Sequence, residues 1–135
     1  MERFSFSKRE RVTGEKRIET LFANGCSFMS YPFRVVYLET MRSGTMPLSI
    51  LISVPKKRIK SAVDRNRMKR LTREAYRLNR HQFLAKGLSE EKQLDVAFIC
   101  VAEKLCGYAA VEKGIGKALR ELNHRIEERK SAENN

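Results

Sequence analysis

Residues 48–80 read LSILISVPKKRIKSAVDRNRMKRLTREAYRLNR, and this stretch decides how the rest of the chain is read. In its first part Leu48, Ile50, Ile52 and Val54 fall on one side and Ser49, Leu51 and Ser53 on the other. That is the period-2 pattern of a strand with one apolar face, the other being free for polar work. Ser61 followed by Asp64 fits a capping box, with Ser61 as N-cap and Asp64 in the first turn, where a negative charge is favoured. A helix is therefore expected to begin here. At about 100° per residue, Met68, Leu71, Ala75 and Leu78 gather in a stripe roughly 80° wide that should pack. Arg65, Asn66, Lys69, Arg70, Arg73, Arg77 and Arg80 take the opposite side. Arg67 falls on the flank of the stripe, where its stem can lie across the core edge while its guanidinium reaches out.

Residues 56–80 hold eleven lysines and arginines against two acids, a net +9 of the chain's formal +12. An ordinary solvated helix face intersperses both signs, and this one does not. A cationic face so concentrated fits a polyanion, and the planar fork of arginine suits bidentate bonds to phosphate. Lys56, Lys57, Arg58 and Lys60 extend the field into the loop that enters the helix. Neutralising about six to eight phosphates would make affinity fall steeply with salt. Phosphates do not distinguish DNA from RNA. The rings of Phe22, Phe33 and Tyr37, beside a basic helix, suit stacking on unpaired bases, although core packing is the commoner fate of aromatics at strand or helical spacing.

Outward from this stretch, the first twelve residues read as irregular and basic, and Ile18, Leu21 and Phe22 then mark one face of a helix over Glu15 to Asn24, stopped by Gly25. Phe33 to Leu38 and Leu48 to Val54 read as antiparallel strands, because Thr40, Ser43, Gly44 and Pro47 between them have the composition of a hairpin connection. After a polar connection around Gly87 to Lys92, the run Leu94 to Ala102 is apolar on both alternating sets, as a strand covered on two sides requires. Val111, Ile115, Ala118, Leu119, Leu122 and Ile126 give helical spacing over Ala109 to Arg129, with Gly114 and Gly116 weakening the first turns and the last half-dozen residues expected to fray. The expectation is an α+β fold, a small central sheet sandwiched with helices, in which strand, basic helix and strand form a βαβ unit. At 135 residues the whole chain, 1–135, fits a single nucleic-acid-binding domain, with an ordered core over about 7–129.

Other chemistries find little support. Asp64 and Asp95 are the only aspartates, and His81 and His124 sit on different expected helices without nearby partners, so neither protein catalytic residues nor a protein metal site is expected. Gly114 and Gly116 lack the Gly-Lys-Ser/Thr that a phosphate loop needs. Cys26, Cys100 and Cys106 are odd in number and without CxxC pairing, which favours reduced, partly buried thiols. No apolar run approaches the roughly 20 residues of a membrane helix, and the start MERFSFSKRER lacks the apolar core of a secretory signal, so no membrane partner and a cytoplasmic location are expected.

The string Ser53-Val-Pro-Lys-Lys57, followed by Arg65-Asn-Arg-Met-Lys-Arg-Leu-Thr-Arg-Glu-Ala-Tyr-Arg77, closely resembles the signature of the protein subunit of bacterial ribonuclease P, and the likeness runs from about Ser7 to Glu127. The resemblance implies a left-handed βαβ crossover, against the general preference for right-handed ones. It implies tRNA processing in which a catalytic RNA, holding the magnesium ions, cleaves precursor tRNA to release the 5′ leader. The protein would be the non-catalytic component of that endoribonuclease, with no tightly bound cofactor of its own and no obligate protein partner. Arg65, Asn66, Arg67, Lys69, Arg70 and Arg73 match the family's basic motif and would contact the catalytic RNA or lie near the metal-assisted site, and Lys56 and Lys57 match its upstream lysine pair. Phe22 and Phe33 map onto the aromatics of the family's leader-binding cleft, formed by the sheet with the first helix. Ile18 stands where the family often has a ring, and Tyr37 is one residue out of register with a tyrosine of some members. The competing classes are a general structured-RNA-binding or ribosome-associated protein, a protein-only nuclease, which would need the acidic or histidine clusters missing here, and a DNA-binding helix, disfavoured by a cationic face some four turns long.

Overall fold

The computed structural model describes residues 14–44 and 46–134, so the basic amino-terminal segment and the first part of the expected core lie outside the described residues. The elements are α1 (Glu15–Asn24), β1 (Cys26–Ser30), β2 (Phe33–Met41), β3 (Leu48–Ser53), α2 (Ala62–Asn79), β4 (Lys92–Cys100) and α3 (Tyr108–Asn134), with a 3-10 turn at Arg80–Gln82 after α2. The α+β expectation holds. The helices over 15–24, after Ser61 and from about 109 stand where periodicity put them, although α3 runs on to Asn134 where fraying was expected.

Sheet connectivity differs from the sequence reading. The strand order is β1-β2-β4-β3, so β2 and β3 run in opposite directions but are not a hairpin, because β4 lies between them. β4 pairs antiparallel with β2 (Val35↔Phe98) and parallel with β3 (Ile50↔Val96). The hairpin partner of β2 is β1, a strand missing from the sequence reading, in the register Phe28↔Val35. A central place for β4 explains why it is apolar on both sets of alternating residues: Leu94, Val96 and Phe98 point to one face and Ala97 to the other, all wholly buried.

Two layers of apolar side chains result. On one face of the sheet, Phe33, Val35, Leu48, Ile50, Val96 and Phe98 meet Met68, Ala75 and Tyr76 of α2 and Val111, Ile115, Leu119, Leu122 and Ile126 of α3. On the other, Val36, Ala97 and the half-buried Leu38, Leu51 and Ile99 meet Leu21 and Ile18 of α1. The Ser49–Leu51–Ser53 side of β3 is thus partly covered rather than free.

A buried polar network pins α1 to this second face. Arg17 donates to both oxygens of Asp95 at 2.9 and 2.6 Å, and Gln93 donates to Asp95 Oδ1 at 2.7 Å and to Ser49 Oγ at 3.1 Å. Asp95 is almost wholly buried, and its hydrogen bonds raise the Arg17 pKa. The carboxylate is therefore a structural partner of a guanidinium, which is how a buried charge is tolerated. Gly25 ends α1 with an extended φ of −75° rather than a left-handed one, its N–H donating to Leu21 O at 2.9 Å. A glycine is needed there because a Cβ would lie 2.5 Å from Leu21 O and 2.8 Å from Val36 Cγ1.

Candidate nucleic-acid interface

α2 starts as its sequence dictates: Ser61 Oγ accepts a bond from the Asp64 N–H at 3.3 Å. Its packing face differs from the expected stripe. Met68 and Ala75 are buried, but Thr72, Tyr76 and Asn79 complete the buried set, Leu71 is half-buried, and Leu78 is 41% exposed. The face is rotated by about 60° from the expected one, at ~100° per residue. Thr72 and Asn79 can sit inside because each side chain donates to its own helix, Thr72 Oγ1 to Met68 O at 2.7 Å and Asn79 Nδ2 to Ala75 O at 2.8 Å.

The rotation sorts the basic residues. Asn66, Arg67, Arg70 and Arg73 are exposed and Lys69 is half-exposed, and among the described residues none of these four cationic side chains has an ion-pair partner. Arg65 is turned inward and stitches the loop, its Nη1 donating to Ile59 O at 3.0 Å and Lys60 O at 2.8 Å. Arg77 is held by Glu74 through two bonds, Nε to Oε2 at 3.1 Å and Nη2 to Oε1, which lower the Glu74 pKa below the ordinary carboxylate range and raise that of Arg77. Part of the cationic face is thus already neutralised or engaged. Lys56, Lys57 and Lys60 are exposed and Arg58 half-exposed, on a loop anchored by the buried Val54 and Ile59 and by bonds from the Arg58 and Ile59 N–H groups to Pro55 O. Anchoring at both ends holds these cations in one place and continues the α2 field.

The four candidate leader-contacting residues do not share one surface. Ile18, half-buried, and Phe22, 43% exposed, lie on α1. Phe33 is wholly buried on the opposite face of the sheet, edge-on to Phe98 with ring centroids 5.8 Å apart, and its ring is core and cannot stack on a base. Strand alternation puts Tyr37 on that same far face, its ring 6.0 Å from Phe28 and its hydroxyl accepting from Arg125 Nη1 at 3.4 Å. On the α1 side the register instead aligns Met29, Arg34, Ile99 and Ser53 in one cross-strand row. Met29 and Arg34 are exposed, Ile99 and Ser53 half-exposed. Arg34 was missed in sequence, although it is the one charge within Phe33 to Leu38, a signal that could have marked it.

Among the described residues no three His, Cys, Asp or Glu side chains converge as metal donors, and no helix is long and apolar enough to cross a membrane. His124, expected to lack partners, is 3.1 Å from Glu128. Cys26 is exposed rather than partly buried, while burial pushes the Cys100 and Cys106 thiols up in pKa.

Known proteins place this arrangement. A ribonuclease P protein component of Porphyromonas gingivalis is 42% identical over 118 residues, covering 86% of this chain and 85% of that one. One of Chlorobium phaeobacteroides is 37% identical over 81 residues, covering 58% of this chain and 56% of its own. The fold is shared with the Staphylococcus aureus RNase P protein at TM-score 0.63 and 19% identity, over 84% of this chain and 94% of that one. It is also shared with the RNase P protein of Thermotoga maritima at TM-score 0.52 and 20% identity, over 88% and 96%. The family model of ribonuclease P matches residues 6–123, and the chain belongs to the ribonuclease P protein family.

Proposed function

We propose that this chain binds the catalytic RNA of ribonuclease P through α2 and the loop at 54–61, receives the 5′ leader of precursor tRNA on the α1 side of the sheet, and so assists metal-dependent removal of the leader by the RNA. The supporting observation is the unneutralised cation set, Lys56, Lys57, Lys60, Arg67, Lys69, Arg70 and Arg73, carried on one anchored loop and one helix. Such a field lowers the cost of bringing two polyanions together, which is otherwise met by divalent cations. In this reading Arg65 acts by shaping the loop, Asn66 offers a neutral donor, and Arg58 and Arg77 supply secondary charge. Phe22 and Ile18, with the row from Met29 to Ser53, form the wall available to the leader. Magnesium belongs to the RNA and the protein supplies no catalytic group.

The test is cleavage of a precursor tRNA by a bacterial ribonuclease P RNA at low magnesium, with and without this protein, beside a protein-only reaction. Leader release only when both are present is expected. Tight RNA binding without stimulation would point to a general RNA-binding role, and cleavage by protein alone would overturn the assignment of chemistry to the RNA.

A further inference from the structure

A second set of cations, carried by α3, belongs to neither α2 nor the α1 side of the sheet. The turn joining β1 to β2 sits on α3, and between them runs a groove of about 690 Å³ whose lining includes Phe28, Tyr31, Lys113, Lys117, Arg120 and Arg125. The turn is built onto the helix. Ser30 Oγ donates to Gly114 O at 2.7 Å, and Gly114 permits the approach, since a Cβ there would lie 2.6 Å from Tyr31 O. Val101 N–H donates to Pro32 O at 2.9 Å and holds the other side of the turn.

The charges on α3 divide sharply. In its carboxy-terminal part cations are paired one turn away, Arg125 with Glu121 at 2.6 Å and Arg129 with Glu133 at 3.7 Å. Lys113 and Lys117 are exposed and have no partner among the described residues, and Arg120 donates only to the neutral Gln82 Oε1 at 2.9 Å. The one carboxylate in the groove, Glu121, is already taken by Arg125, whose guanidinium lies 4.7 Å from the centroid of the Phe28 ring. Beside these cations Tyr31 is 67% exposed. Cations in a row beside an exposed ring suit a strand whose bases are unpaired, because the bases of a duplex are stacked away from such a ring.

We propose that this groove binds an unpaired RNA segment, the phosphates along Lys113, Lys117 and Arg120 and a base on Tyr31. The proposal rests on the RNA-binding reading above and adds a second surface to it. Titration of the full-length, isotope-labelled protein with an unstructured pyrimidine RNA, followed by backbone amide shifts, separates the two surfaces. Saturable shifts at residues 30–31 and 113–120 are expected. They should be abolished in a Lys113→Gln, Lys117→Gln variant that melts like the wild type, and Tyr31→Ala should weaken binding there by roughly five- to a hundredfold while Tyr31→Phe retains it. Shifts confined to α2, residues 56–60 and the α1 side of the sheet overturn the groove and leave the function standing. No shifts at either surface overturn both. Shifts at 30–31 and 113–120 produced by polyglutamate and not by RNA would make the groove an acidic-peptide site and overturn the proposal.

Discussion

At the scale of single residues, the ion pair between Glu74 and Arg77 governs how much of α2 is available. The Glu74 carboxyl has a lowered folded pKa, so the pairing is present above the ordinary glutamate value of about 4.3 and is lost as pH falls through the lowered one. Both groups are partly exposed to solvent, and the effect on folding is small. The effect on RNA should be larger. Glu74→Gln removes the carboxylate that offsets Arg77 and is expected to steepen the dependence of log affinity on log salt, measured by RNA binding across a salt series. Phe22 is 43% exposed, so Phe22→Ala should weaken association with leader-bearing precursor tRNA relative to leaderless tRNA. Its cost in stability should fall well below the ~3–5 kcal/mol of a buried phenylalanine, and thermal melting measures that part.

At the scale of elements, α2 and α3 carry opposite lessons about glycine and charge. Replacing Gly114 by alanine gains up to about 1 kcal/mol of helix propensity, but its Cβ meets the Tyr31 carbonyl at 2.6 Å. The expected net result is a loss of about 1–3 kcal/mol, read from denaturant unfolding, because backbone must move. A Lys69→Ala, Arg73→Ala variant leaves the buried face of α2 intact and should raise the magnesium concentration at which the reconstituted enzyme reaches half its maximal cleavage. An unchanged magnesium dependence would remove charge screening from the mechanism. The position of α2 was legible because it is set locally, by the Ser61 cap and the spacing of Met68 and Ala75. Its exact orientation was not. Thr72 and Asn79 counted as polar in the pattern, yet both satisfy themselves on helix carbonyls and enter the core, leaving Leu78 outside.

At the scale of the whole molecule, the seven unneutralised cations of the loop and α2 act as one field. Affinity for the catalytic RNA is expected to fall by about three to five orders of magnitude between 50 and 200 mM salt, measured by equilibrium binding, if about six or more phosphates are engaged. The candidate site was half legible. Contiguous residues in one register, Lys56 to Arg77, could be read as a surface because a helix and its entering loop keep sequence neighbours together. The leader wall could not, because it joins α1 to a row across four strands, and Phe33 and Tyr37 turned out to face the other way.

By itself the sequence determined what depends on neighbouring residues: the helices, the strand character of β2, β3 and β4, the concentration of positive charge, and a motif specific enough to indicate the family. Tertiary structure alone decided that β4 separates β2 from β3, that Cys26–Ser30 is a strand, and that Arg17 of α1 meets Asp95 of β4. The physical reason is the same in each case. Strand pairing and buried ion pairs join residues far apart in the chain, here 78 positions for Arg17 and Asp95, and the energy that selects them comes from burial shared by the whole core rather than from any local pattern.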